Sequence, residues 1–268
     1  MRVDLTSILP QLPVWTLVFF RLTGLFVVAP LFSSASVPAR FRVMWALALS
    51  LCIYPVLLDR PATAAMIEPM LHGNLPLWLL PVAIVMELLI GTVIGYGASL
   101  PLVGMQLAGQ MIDQQVGTGL AGLINPDAGG EQTGVFGDFY FLLATAILLM
   151  IGGHRVILSA LLDSYQQVPL AGFRPDPRLA GLLVGLLTSM FEMALRVAAP
   201  LLCLVFLETV ATGFLARTVP QFNLMSVGFP LRIMVGLMIL GASLSSAANV
   251  CVQGVHRGLW AVMAYMGG

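Results

Sequence analysis

The sequence predicts an all-α integral membrane protein, and three observations lead there. Hydrophobic residues make up 59% of the 268-residue chain and charged residues 9%, against roughly 25% charged in an average soluble domain. The apolar residues gather into about six hydrophobic segments, several near the ~20 residues that a helix needs to cross a bilayer. Prolines and glycines fall inside and between these segments, so kinked helical hairpins are expected rather than straight rods. Residues 1–268 read as a single membrane domain.

The opening, MRVDLTSILPQLPVW, carries one Arg, an early Asp and two prolines. That is a poor match to a cleaved signal, so the first hydrophobic segment is expected to be retained. Leu12 to Phe32 is the first candidate span, with Arg21 in its middle. Pro30, three serines and Pro38 then make a loop that carries Arg40 and Arg42. Val43 to Leu58 is short for a crossing and stops at Asp59-Arg60-Pro61. From Pro61 to Pro76 there is no strong periodicity, which predicts a loop with room for a surface helix. Leu77 to Leu107 is longer than one span requires. Its Gly91-xxx-Gly95 pair predicts close approach of a second helix, and Pro101 predicts a kink.

Val135 to Gly152 is the next apolar run, with Asp138 placed to favour a helix N-terminus. His154 to Val168 puts Val156, Ile157, Ala160, Leu161 and Ser164 on one face, an amphipathic helix closed by Pro169. PLAGFRPDPR reads as a loop. Leu179 to Arg217 is unbroken and would be about 58 Å long as a straight helix, too long for one crossing. Pro200, near its midpoint, predicts a break into two span-length arms. TVPQFNLMSVGFP reads as a loop, and Leu231 to Met266 as the last helical region. Arginine counts on alternate loops favour one orientation only narrowly.

Composition and motifs argue against several functions. The twelve cations are all Arg and balance twelve acids, with no basic patch that would bind nucleic acid. Cys52, Cys203 and Cys251 stand singly in apolar runs, and His72, His154 and His256 show no metal-ligand spacing. No nucleophile elbow or nucleotide-binding motif appears. No catalytic, cofactor-binding or metal-binding residues are therefore expected, and the protein does not read as an enzyme. Asp113, Asp127, Glu131 and Asp138 cluster in sequence but read as solvated loop charges.

Ionisable groups inside apolar runs are costly and need a partner or a role. Glu192 and Arg196 stand at i and i+4 with Glu first, the favourable order for an ion pair within one helix. Arg21, Glu87 and Glu208 have no local partner, so they are expected to meet charges in protein–protein interfaces, with an ion role open for Glu87. Gln110 to Gly130, QMIDQQVGTGLAGLINPDAGG, holds five glycines and two acids between greasy helices. Such a loop must lie in water or line a protein cavity. By residue chemistry alone, a solvated glycine loop and a channel plug suit it equally.

Several pieces, in order, carry a family resemblance: RLTGLFVVAPLFSSASVPARFRV, ELLIGTVIGYG, GQMIDQQVGTGLAGLINP, GGHRVILSALLDSYQQVP and ARTVPQFNLMSVGFPLRIMVGL. Together they resemble the FliR family of flagellar export-gate proteins and its virulence type III secretion counterparts, across nearly the whole chain. The resemblance implies a subunit packed into a hetero-oligomeric helical export gate with FliP and FliQ relatives, with FlhB joining and FlhA below. Unfolded subunits would pass through it, driven by proton motive force and an associated ATPase, at the basal body in the bacterial inner membrane. Membrane lipid is the other expected neighbour.

The resemblance also implies a pore plug over Ile112 to Pro126, including Asp113, Gly117, Gly119, Leu120, Gly122, Leu123 and Ile124. It implies a loop motif at Pro220, Gln221, Gly228 and Pro230. Flagellar relatives often carry aromatic groups in the plug, and Gln110 to Gly130 has none. An ion-coupled transporter is the rival reading, because broken helices and lone membrane carboxylates are transporter features too. A membrane enzyme built on Glu87 or Asp113 is the second rival.

Overall fold

The computed structural model describes residues 11–29, 38–59, 79–117, 134–218 and 224–267. Among these residues the chain forms seven helices and no strand. They are α1 (Leu12–Val28), α2 (Ala39–Asp59), α3 (Leu80–Val116), α4 (Val135–Met150), α5 (Gly153–Gln167), α6 (Arg178–Thr218) and α7 (Leu224–Gly267). Four of them, α2, α3, α6 and α7, are long and apolar enough to cross a membrane. The count rises to five if α4 and α5, bent by 67°, make one broken span. The connection expected from Pro61 to Pro76 lies outside the described residues.

Each helix boundary has a local cause. Pro13 opens α1, where its missing N–H costs no hydrogen bond. The helix stops at Val28 because Ala29, extended at φ −61° and ψ 129°, precedes Pro30, which disfavours helical backbone. At 17 residues, α1 is shorter than the expected Leu12 to Phe32 span. The bend between α4 and α5 centres on Gly152, at φ 70°, backbone that glycine adopts without a steric penalty. Helix α5 is amphipathic as its spacing predicts. Ile157, Ala160, Leu161 and Ser164 are buried, and Val156 is half-buried at the edge of that face.

Three boundaries differ from the sequence reading. Helix α3 continues through Gln110–Val116 instead of yielding to a loop there. That stretch contains no Gly or Pro, and the helix ends only at Gly117, φ 88°. Pro200 lies inside an uninterrupted α6 of 41 residues. A proline removes one rung of a long ladder, and buried neighbours such as Val197, Ala198 and Leu201 hold the helix on either side. Helix α7 starts at Leu224, so Gly228 and Pro230 are helical residues and not loop residues.

The chain divides into two compact units, one of residues 1–99, 152–186 and 257–268, the other of 100–151 and 187–256. In the first unit, α1 packs against α2 and, more closely, against α3. A methyl group on Gly91 would fall on the Arg21 carbonyl oxygen, and one on Gly24 on the Leu88 carbonyl oxygen. On Gly95 it would stand 3.0 Å from the Leu25 oxygen. The Gly91-xxx-Gly95 face thus meets α1. In the second unit, the later half of α3 packs on α4 at Gly109 and Gly137. Tyr140 of α4 reaches Ser243 of α7 at 3.3 Å.

The loop before α6 shows a conventional helix start. Asp176 accepts the Arg178 backbone N–H at 3.2 Å and the Arg178 Nε–H at 2.8 Å. The hydrogen bond from the Arg178 side chain holds this carboxyl below its usual range.

Candidate functional site

Two polar constellations stand out against the apolar background. The first lies in the first unit. Arg21, from the middle of α1, and Glu87, from α3, are both fully buried. Arg21 Nε donates to Glu87 Oε2 at 2.5 Å, Nη1 to Ser164 Oγ at 3.2 Å and Nη2 to the Val168 carbonyl at 3.3 Å. Its guanidinium sits 4.3 Å from the centre of the Tyr165 ring. Glu87 Oε1 accepts the backbone N–H of Ala171 at 3.0 Å. Burying two ions costs several kcal/mol each. Here the mutual charge, the hydrogen bonds and the cation–π contact offset that cost.

The pair therefore ties together α1, α3, α5 and the loop after α5. Ala171 holds a left-handed backbone, φ 57°, in the loop that delivers its N–H to the carboxylate. Such a conformation costs an alanine roughly 1–2 kcal/mol.

The second constellation, in the second unit, surrounds the two ends of residues 118–133. Asp113, in the last turn of α3, is buried. Its carboxylate accepts the N–H groups of Phe136 at 3.3 Å and Gly137 at 2.9 Å. These are first-turn amides of α4, whose own N-cap, Gly134, has no side chain to offer. A carboxylate there satisfies orphan donors and complements the helix dipole. Four residues on from Asp113, Gly117 ends α3 with its N–H on the Asp113 carbonyl at 2.9 Å.

Arg232 of α7 holds the same turn from another side. Its Nη1 donates to the Gln115 carbonyl at 3.3 Å, Nε to Glu208 Oε2 at 3.1 Å and Nη2 to Thr209 Oγ1 at 3.1 Å. A cation at a helix C-terminus is favourable, so Arg232 joins the end of α3 to α6 and α7. Glu208 is largely buried, and its Oε1 has no hydrogen-bond partner.

These contacts correct one sequence expectation. Arg21, Glu87 and Glu208 have charged partners within the chain: Arg21 pairs with Glu87, and Glu208 with Arg232. Glu192 and Arg196 pair within α6 at 2.8 Å as their spacing predicts, and both are exposed. A second correction concerns Asp113, which is a buried helix cap rather than a solvated loop charge. Ile112 is likewise a buried helical residue, and Gly117 is the helix stop. Gly119, Leu120, Gly122, Leu123, Ile124 and Pro126 lie outside the described residues, as do Pro220 and Gln221. Asp138 belongs to the first turn of α4.

Sequence reasoning missed Arg232, Ser164, Tyr165 and Ala171. One signal was available for the first. Glu208 and Arg232 are equidistant from Pro220, so an antiparallel helical hairpin centred there sets them side by side. Nothing local marks Ser164, Tyr165 or Ala171 as partners of an arginine on α1.

Among the described residues, no group of three or more His, Cys, Asp or Glu is placed to hold a metal ion. The polar groups described above join helices and cap their ends.

The family described as bacterial export proteins, family 1, matches residues 12–258. The chain is 31% identical over 239 residues to flagellar biosynthetic protein FliR of Bacillus subtilis, covering 88% of each chain. It is 29% identical over 240 residues to the FliR of Caulobacter vibrioides, 90% of this chain and 92% of that one. Yop proteins translocation protein T of Yersinia pestis is 27% identical over 235 residues, 84% of each. With its family match running from the start of α1 into α7, the chain belongs to the bacterial export proteins, family 1.

Proposed function

We infer that this protein is a membrane subunit of the flagellar type III export gate. It forms the channel with FliP and FliQ relatives, next to FlhB and FlhA, in the bacterial inner membrane at the flagellar basal body. Unfolded flagellar subunits are its cargo. The observation that carries this reading is the likeness to flagellar FliR proteins over almost the whole chain. The Yersinia relative supports a second reading, the same role in an injectisome.

The paired carboxylates favour a structural and gating role over a transporter or an enzyme. An ion-coupled carrier needs a carboxylate free to exchange its partner, whereas both oxygens of Glu87 are engaged by groups of the same chain. The plug proposed for Ile112 to Pro126 is accordingly divided in two. Ile112 and Asp113 anchor it, Gly117 releases the backbone from the helix, and Leu120, Leu123 and Ile124 make the apolar seal that excludes water. Without aromatic groups between Gln110 and Gly130, we propose a softer seal.

Removing Thr118 to Leu123 leaves the Asp113 and Arg232 contacts in place. The expected result is a gate that still assembles but leaks small ions, read as membrane conductance in cells. An unchanged conductance in assembled gates would overturn the plug assignment.

A further inference from the structure

Over its central turns α7 buries an apolar seam and exposes a polar stripe. The seam holds Ala247, Cys251 and Val255, all buried. A methyl group on Gly254, on the same side, would stand 2.7 Å from Met193 of α6 and 3.3 Å from Pro101 of α3. On the opposite side Ser245, Ser246, Asn249, Gln253 and His256 are all exposed. At about 100° per residue, four of them fall within about 40° of a line through Asn249, with Ser246 at its edge, over about 17 Å of helix.

This is the reverse of a lipid-facing helix. Amide, hydroxyl and imidazole groups turned into hydrocarbon lose their water and gain no hydrogen bond in return. The change occurs within one helix that is long and apolar enough to cross a membrane. Its earlier turns expose Leu231, Met234, Leu237 and Met238, which suit an apolar neighbour. A seam between two membrane helices is built of small and apolar groups with a polar one among them. From Ser245 through Asn249 and Gln253 to His256, no apolar residue interrupts the stripe.

Water satisfies such a face, and so does an extended polypeptide in water. Each residue of an unfolded chain carries a backbone N–H and C=O in need of partners. Serine, asparagine and glutamine exchange hydrogen bonds with those groups and hold no charge that would select one sign of cargo.

We propose that the outer face of α7 at Ser245, Ser246, Asn249, Gln253 and His256 lines the water-filled path along which an extended polypeptide crosses the membrane. The inference rests on the export-gate reading and adds to it the surface that the cargo meets. It does not depend on the plug.

The test places a photoreactive benzoyl-phenylalanine at Asn249 in one strain and at Leu51 of α2 in another, in cells that carry the whole apparatus. A flagellar cargo fused to a domain too stable to unfold is made in both, so that it stalls in passage, and adducts are identified by mass spectrometry. The expected result is an adduct between Asn249 and the stalled cargo, lost when the cargo is not made, and no cargo adduct at Leu51. Two further variants read the same surface without a probe. Asn249→Asp is expected to accumulate within about two-fold of the unsubstituted chain, because a charge is tolerated against water and not against hydrocarbon. Asn249→Leu with Gln253→Leu should accumulate normally and slow export at least about five-fold, about 1 kcal/mol of barrier.

Lipid adducts alone at Asn249, or adducts there only on another membrane chain, would overturn the proposal. So would a cargo adduct at Leu51 equal to that at Asn249, loss of the Asn249→Asp chain from the membrane, or full export by the double leucine variant. Export that requires this chain, with lipid at Asn249, would refute the stripe alone. Export that persists when the chain is absent would refute the export-gate reading itself.

Discussion

Arg21→Met is expected to destabilise the protein by about 3–5 kcal/mol, because it leaves Glu87 charged, buried and uncompensated. In cells the chain should be largely lost from the membrane, and in detergent its unfolding midpoint should fall. Glu87→Gln alone should cost a similar amount by stranding the Arg21 guanidinium. The double variant Arg21→Met with Glu87→Gln is the decisive comparison. Its amide oxygen still accepts the Ala171 N–H, and no buried charge remains, so most of the loss should be recovered. A double variant no better than either single one would show that the pair is not coupled. A Glu87→Gln chain that accumulates and assembles normally but exports nothing would give Glu87 a proton-handling role instead.

Gly91→Val is expected to cost about 3 kcal/mol and to disturb the same network from the backbone side. The new Cβ falls on the Arg21 carbonyl oxygen and stands 2.9 Å from the Leu25 nitrogen, and backbone atoms cannot rotate aside. Helices α1 and α3 must separate, which also draws Arg21 away from Glu87. Gly181→Ala on α6, where a methyl group meets nothing within 4 Å, is the control and should be tolerated. Equal accumulation of the two variants would contradict the close α1–α3 contact.

What is legible in the sequence divides along the range of the interactions. The Glu192–Arg196 pair follows from helical spacing alone. The amphipathic α5 and the small-residue face of α3 are likewise short-range patterns. Arg21 and Glu87 are 66 residues apart, and no local rule brings them together. The overrun of α3 into Gln110–Val116 escapes a reading by composition, because a polar stretch suggests a loop. Polar residues without Gly or Pro continue a helix readily, and Asp113 sits at that turn to cap α4. Pro200 suggests a break because proline rules describe isolated helices, whereas the neighbours of α6 carry it through the missing rung. The hairpin symmetry about Pro220 shows that some long-range pairs are readable once two helices are known to be joined by a short connection.

This chain is expected to work as one subunit of a multi-chain export gate. The most direct test is gentle detergent extraction from native membranes, with an affinity tag on this chain and mass spectrometry of what comes with it. The account predicts that FliP and FliQ relatives co-purify in reproducible proportion, and that the chain is unstable when produced without them. A chain that purifies alone, stays folded and binds a coupling ion would contradict it.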